Sequence, residues 1–296
     1  KGDVSNVVFE SPADKENRQN YYFSADFERL TSNTWNKIPA LRNFKGRVVM
    51  DAERGHIQLD SDRSFVHLPE IFASPIQFEK LRGKVLWSTS DRGLRVASDE
   101  LIAENLDVKS RSQFKLDWAP DAVPYLTLKS SFSDGIIDQY YPYVPVKALK
   151  PPLLNWLKKS LHKGTLDSGN LVYQGYVNEF PFDRHNGIFD VQLNVRDVEL
   201  DFHPLWPKLE GIDANLRFVG RGLSAQIHRA HTQGMELLPA RVGITTLDRN
   251  AILKLDGGLL GSTDQLIRYL SAMPVRNQAG TRTGRLVSIG GAIVLC

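Results

Sequence analysis

Cysteine is almost missing from this chain: of 296 residues only Cys296 is one, so it can hold no intrachain disulfide and no cysteine-built zinc site. That scarcity fits a cytoplasmic protein and equally a bacterial envelope protein without disulfides, so it leaves the redox compartment open. No run of about 20 apolar residues occurs, which excludes a membrane-spanning helix. An excess of one charge sign is also missing. Lys plus Arg number 37 against 34 acidic residues, a net charge of +3, and a nucleic-acid partner normally needs a clustered basic surplus. The start, Lys1-Gly2-Asp3-Val4, carries neither an initiator methionine nor a basic stretch before an apolar core. The expectation is an internal piece of a longer protein whose targeting signal or anchor lies elsewhere. Signatures of catalysis are missing too: there is no Gly-x-x-x-x-Gly-Lys-Ser/Thr phosphate loop and no His-Glu-x-x-His. The reading is non-enzymatic, with no cofactor and no metal.

What is present is a repeated phrase. Leu41-Arg-Asn-Phe-Lys-Gly46-Arg-Val48-Val-Met50 runs into Arg54-Gly55-His-Ile57-Gln-Leu59. Leu81-Arg-Gly83-Lys-Val85-Leu-Trp87 runs into Arg92-Gly93-Leu94-Arg-Val96. Leu209-Glu-Gly211 through Leu216-Arg-Phe218 runs into Arg221-Gly222-Leu223 and on to Ile227. Trp35-Asn-Lys37-Ile38 precedes the first copy and Trp206-Pro-Lys208-Leu209 opens the last. Each copy reads as strand, turn, strand. A hairpin cannot bury an apolar face alone, so stacked copies imply one long sheet with a continuous apolar side. Period-two alternation recurs at Phe114/Leu116/Trp118, Leu126/Leu128, Val191/Leu193/Val195 and Leu253/Leu255, the pattern of antiparallel strands with one wet and one dry face.

Helical signals are few. Pro151-Pro152 opens a segment with Leu153, Leu157 and Leu161 on one face and Lys158, Lys159 and Lys163 toward its end, with Gly164 as the expected stop. It serves either as a lipid-surface element bearing Trp156 or, the preferred reading, as a helix packed on the sheet. Tyr140, Tyr141 and Tyr143 would pack around it. A short helical turn is expected over Asp134–Tyr141, and a last helix over Thr263–Met273. From Gln265 to Cys296 there is no acidic residue and there are four arginines, so residues 274–296 form an atypical tail.

Several small constellations invite sharper readings. His228 and His231 have metal-ligand spacing, but on a strand that spacing puts them on opposite faces, with no carboxylate pair beside them. Asp183-Arg-His185 sits in a polar turn next to Asn186-Gly187. Ser160-Leu-His-Lys163 matches a Ser-x-x-Lys pattern, but at a helix end instead of a helix start.

With the repeats and turns in place, the chain resembles the YhdP branch of the AsmA-like envelope proteins. The likeness is strongest from Pro124 to Ile227. It is carried by Pro124-Tyr-Leu-Thr-Leu, Phe132-Ser-Asp134-Gly135, Tyr141-Pro142, Pro151-Pro152-Leu-Leu-Asn-Trp156 and Gly164-Thr-Leu-Asp-Ser-Gly169. Gly175, Phe180-Pro181-Phe182, Gly187-Ile-Phe189, Trp206-Pro207 and Leu216-Arg-Phe218-Val-Gly220 complete it. The resemblance implies a mainly β fold: an elongated, twisted antiparallel sheet of repeated hairpins curled into an apolar groove, with one or two short helices. It implies a periplasmic segment, residues 1–273, of a long protein anchored in the inner membrane of Gram-negative bacteria. Its expected partners are phospholipid acyl chains, the inner and outer membranes through regions outside this chain, and envelope proteins, with no nucleic acid.

Alternating apolar residues by themselves equally describe a dry core between two sheets; the resemblance favours the groove. The groove-lining candidates are Val48, Met50, Ile57, Leu59, Val85, Trp87, Phe114, Leu116, Val191, Leu193, Leu216 and Phe218. A one-residue register slip would invert any of these strands. The competing readings are an envelope scaffold that docks proteins on its sheet edges, and a glycan binder stacking sugars on Trp35, Trp87 or Trp206.

Overall fold

The computed structural model describes residues 1–12, 21–34, 39–247, 251–272, 286–288 and 291–295. Trp35 and its neighbours before the first repeat, Met273, and most of the tail lie outside the described residues. Two compact units are formed. One comprises Lys1–Phe132, Pro142–Ala148 and Leu171–Ile188; the other comprises Ser133–Tyr141, Leu149–Asn170 and Phe189–Cys296.

The first unit is built of strands. They are β1 (Asp3–Glu10), β2 (Tyr22–Ser32), β3 (Ala40–Met50), β4 (Arg54–His67), β5 (Ile76–Ser90), β6 (Gly93–Glu104) and β7 (Lys109–Trp118). To these are added the first part of β8 (Tyr125–Ile136) and the last part of β9 (Leu161–Tyr176). From β1 to β7 each strand pairs antiparallel with the next. Local chemistry makes the turns. The Asp51 carboxylate accepts the backbone N–H of Glu53 and of Arg54, both at 2.9 Å, closing the β3–β4 hairpin. No α-helix lies among the described residues of this unit. The 142–148 segment is tied down by Tyr143, whose hydroxyl donates to Asp107 Oδ1 at 3.0 Å and accepts from Asn105 Nδ2 at 2.6 Å. Burial, then the Asp107 carboxylate, pushes that phenol well above the ordinary tyrosine range. At the other end of the unit the Phe182 ring fills the space over Gly175 and Gly187, where an added Cβ would stand 2.4 Å from it.

The second unit contains the end of β8, the first part of β9, and β10 (Ile188–Leu200), β11 (Leu209–Val219) and β12 (Gly222–Thr232). Shorter strands follow: β13 (Met235–Leu237), β14 (Ala240–Ile244), β15 (Ala251–Asp256), β16 (Gly258–Leu260), β17 (Leu286–Ser288) and β18 (Gly291–Leu295). β10, β11 and β12 run in antiparallel succession. β12 then pairs with β14 along its first half and with β13 at its end, and these continue to β15 and β16. Among the described residues two α-helices belong to this unit, α1 (Pro151–Ser160) and α2 (Thr263–Ala272). The protein is mainly β, and every described strand pairing whose register is given is antiparallel.

α1 ends sooner than expected. Leu161 is extended, at φ −101° and ψ 116°, and opens β9. The sheet claims the backbone here: the Ser160 carbonyl accepts from Asp201 N–H at 2.8 Å. Gly164 is therefore no helix stop. It sits mid-strand at φ +131°, and a Cβ there would meet Val198 Cγ2 at 2.7 Å, so its role is close approach of β9 to β10. The Asp134–Tyr141 stretch also departs from expectation. Asp134–Ile136 finish β8, and only the three-residue 3-10 turns Ile137–Gln139 and Tyr141–Tyr143 follow.

A device that alternation cannot reveal runs through both units. Mid-strand β-bulges shift the register at Arg29 in β2, near Asp99–Glu100 in β6, at Asp197 in β10 and at Gly211 in β11. Arg29, Asp197 and Gly211 have positive φ. Each extra residue bends its strand and increases the local twist.

Candidate functional site

Cross-strand register assembles the apolar residues of the first unit into rows on one face. Phe23, Met50, Gly55, Trp87, Val96 and Leu116 are successive partners across six strands. Ala25, Val48, Ile57 and Val85 form the next row, and Phe27, Gly46, Leu59, Gly83 and Leu101 the third. Phe114 stands opposite Ser98, two residues from Leu116 and on the same face. In the second unit Val191, Phe218, Leu223, Ile244 and Leu253 are partners, as are Leu193, Leu216, Ala225, Val242 and Leu255. A third row is Val195, Ala214, Ile227 and Ala240. Of the twelve residues singled out from sequence, eight lie on one face of the first unit and four on one face of the second.

Burial is graded along the strands. In the three repeated hairpins the apolar residues near the turn are half-buried, and most of those toward the bulges are dry, although Leu101 beside the β6 bulge is half-buried. On β3 and β4, Met50, Val48 and Ile57 are half-buried, whereas Phe44 and Leu59 are 4% and 8% exposed. On β5, Trp87 and Val85 are half-buried and Leu81 is 4% exposed. On β11, Phe218 and Leu216 are half-buried, Ala214 and Ile212 buried. Eleven of the twelve residues are thus half-buried and only Leu59 is buried. A sandwich core would bury all of them under a second layer; among the described residues of the first unit no helix supplies one.

The other face is polar and cross-linked by charge. In the first unit Asp26 meets Arg47 at 3.2 Å, Glu28 meets Lys45 at 2.7 Å, and Asp62 meets Arg82 at 2.7 Å with Asp60 on the same guanidinium. Arg95 and Asp117 pair at 2.5 Å, and Glu100 pairs with Arg111. The second unit repeats the scheme with Asp167–Arg196 at 2.7 Å, Asp190–Arg217 at 2.6 Å and Asp213–Arg229 at 2.9 Å. Between them Ser168, Asn194, Asn215 and His228 are hydrogen-bonded in sequence across four strands. The Arg217 guanidinium holds the Asp190 carboxyl below its ordinary range, and Arg82 does so for Asp62. Directly opposed charges such as Asp26–Arg47, Arg95–Asp117 and Asp213–Arg229 favour this register, which keeps the apolar set on its face.

The remaining candidates resolve by placement. His228 and His231 do not face opposite sides. A register shift falls between Ala214/Ile227 and Asp213/Arg229, so Ile227, Ala230 and Thr232 point inward while His228, Arg229 and His231 are all exposed. No group of three or more His, Cys, Asp or Glu that could hold a metal occurs among the described residues. Ser160 is buried at the end of α1, and Lys163, in β9, reaches Glu199 at 4.0 Å. Asp183 and His185 stand exposed in the turn before Gly187. Trp87 and Trp206 are half-buried, Trp206 against Phe202 with ring centroids 6.0 Å apart. Among the described residues no helix is long and apolar enough to cross a membrane.

The rows hold residues that sequence patterning did not single out: Phe23, Ala25, Ala225, Val242 and Leu255. Leu255 stood in a recognised alternation; Ala25 and Ala225 are too small to mark a face by themselves, and only pairing places them.

A family model described as YhdP protein matches residues 1–293. The chain is 21% identical over 258 residues to the intermembrane phospholipid transporter YhdP of Escherichia coli strain K12, an alignment covering 87% of this chain and 20% of that protein. The chain thus spans about a fifth of the length of this curated relative. No solved structure matches.

Proposed function

The chain belongs to the YhdP protein family, and from that premise we propose that its half-open apolar rows shield phospholipid acyl chains during movement between the inner and outer membranes. The observation that carries this reading is the graded burial of the rows. Each unit carries apolar rows on one face, and most of their turn-proximal residues are half-buried. Each methylene kept from water contributes roughly 0.8 kcal/mol, so an acyl chain crossing water unaided faces a cost on the order of 10 kcal/mol. Rows of Val, Leu, Ile, Phe and Met offset that cost. Because successive rows are alike, a chain can pass from one to the next without a deep trap. The twelve residues Val48 to Phe218 named above are the proposed lining. The charged strand faces keep the outside of the sheet wetted, and the head group rides at the margin of the apolar rows.

On this reading the chain is a periplasmic part of a protein held in the inner membrane by a region outside it, and it acts without catalysis. The decisive experiment is native mass spectrometry of the purified chain followed by solvent extraction. Phospholipid bound at defined stoichiometry is the expected result. A stable, monodisperse, lipid-free protein would sink the reading and favour a structural role. One observation speaks for that second reading, an envelope scaffold. β1 pairs with β2, all eight of its residues are exposed, and Phe9 is 64% exposed. An exposed strand of this kind can dock a further protein.

A further inference from the structure

The second unit buries more than its rows require. Its cluster holds eleven buried apolar residues where the first unit's holds four, and one of the eleven, Tyr269, comes from α2. Leu266 and Leu270 of the same helix pack against that cluster, which includes Met235, Leu237 and Leu259. The opposite side of α2 is open to water: Ile267 is 56% exposed and Arg268 is exposed.

Specific bonds position the helix. Gln265 N–H donates to Ser262 Oγ at 3.3 Å, and Ser262 N–H donates to Gln265 Oε1 at 2.7 Å, a reciprocal cap at the helix start. Gln265 Nε2 also donates to the Gly234 carbonyl at 2.9 Å, tying the cap to the β12–β13 turn. Ser262-Thr-Asp-Gln265 is thus both a start signal and a tether. The strands show where the helix acts. Along β12, Leu223 and Ala225 are half-buried, and Ile227, Ala230 and Thr232 are buried. Along β10, Val191 and Leu193 are half-buried, and Val195 and Val198 are buried.

Resting on the acyl-chain reading above, we propose that α2 is the end wall of the lipid-binding face in the second unit. Acyl chains reach the half-buried members of these rows on β10, β11 and β12, Val191, Phe218 and Leu223 with Leu193, Leu216 and Ala225, short of the buried Ile244, and stop where Tyr269 and Met235 fill the space. The wall is a ten-residue helix, short enough to be marginal without its contacts. Weakening those contacts therefore extends the site past Ile227 and leaves the sheet standing.

The test uses a photo-reactive phenylalanine analogue placed singly at Phe218, Leu216, Met235 or Leu259 in the intact protein. The protein is illuminated with vesicles of phosphatidylethanolamine and phosphatidylglycerol whose phosphate is radiolabelled. Adducts are expected at Phe218 and Leu216, and about tenfold less at Met235 and Leu259. Two backgrounds weaken the wall: Leu266→Ala with Leu270→Ala, and separately Gln265→Ala, which removes cap and tether without touching the apolar contacts. Circular dichroism checks that the sheet persists in each. In at least one folded background the Met235 adduct should rise several-fold toward the Phe218 level. Equal labelling of Met235 and Phe218 in the unaltered protein overturns the wall, as does an unlabelled Met235 in both folded backgrounds. Absence of adduct at all four positions removes the lipid reading and the wall with it.

Discussion

The indole of Trp87 lies over Gly55. The two are register partners on β4 and β5, and a Cβ on Gly55 would stand 2.2 Å from Trp87 Cζ2 and 2.7 Å from Met50 Cβ. Phe27 does the same over Gly46, its partner on β3, with Cζ 2.9 Å from the position a Cβ would take. Aromatic rings thus cover the gaps that glycines leave in the apolar rows, and the glycine lets the ring lie close to the sheet.

Gly55→Val should therefore cost about 1–3 kcal/mol through overpacking. The same substitution in a Trp87→Ala background should cost less, because the ring is the nearest group the new side chain meets, and the Met50 Cβ contact at 2.7 Å remains. Urea unfolding of the double-mutant cycle reads this directly. Equal costs in both backgrounds would mean that the ring moves aside freely.

Asp213 holds the bulge of β10 in place. Its Oδ1 accepts the backbone N–H of Asp197 at 3.0 Å, and its Oδ2 takes Arg229. Asp197 itself has φ +51°. Asp213→Ala should destabilise by about 1–2 kcal/mol. Asp213→Asn keeps an acceptor for Asp197 and should recover part of the loss. The checking measurement is the chemical-denaturation midpoint of the two variants; equal midpoints would deny the bulge contact any value.

Acid should weaken the protein more than mild alkali. Arg217 lowers the Asp190 pKa, Arg82 lowers that of Asp62, and Lys208 lowers that of Glu199. A carboxylate whose folded value lies below its unfolded value contributes stability above the unfolded value, near 4, and loses it as pH falls through the folded one. His56, lowered first by partial burial and then by Lys84, has the same sign below about pH 6.5. Lys45, raised by Glu28, works the other way, losing its contribution only as pH climbs past its raised value. The melting temperature should hold steady above about pH 6.5, slip slightly as His56 protonates below that, and fall steadily below about pH 4. A melting temperature that rose toward acid would contradict the ion-pair ladders.

A charge placed on the half-open rows should be tolerated by the fold and not by the cargo. Leu193→Asp or Phe218→Asp spares the buried residues Ile212 and Ala214 themselves, although Leu193 packs against their cluster. It puts a carboxylate where acyl chains are proposed to lie. Lipid recovered per mole of purified protein should fall several-fold, with near-native circular dichroism. Undiminished lipid in a folded Phe218→Asp variant would move the binding surface elsewhere.

Much of this was legible before folding. The repeated phrases are hairpins β3–β4, β5–β6 and β11–β12 because period-two alternation and Asp- and Gly-bearing turns act over a few residues. The start of α2 at Thr263 was readable as well; its expected end, Met273, lies outside the described residues. The fate of Leu161 and Gly164 was not legible: good helix chemistry there lost to the pairing partner offered by β10. His228 and His231 were misplaced for a related reason, an unpaired extra residue that no alternation rule counts.

By itself the sequence determined which residues can share a face, where the chain turns and that the opposite face is charged, because these follow from side-chain period and local backbone preference. Only the tertiary structure decided where the bulges fall, which rows stay half-open and which are covered by α2. Those depend on partners dozens of residues away, and a register set by distant pairing is invisible to any local pattern.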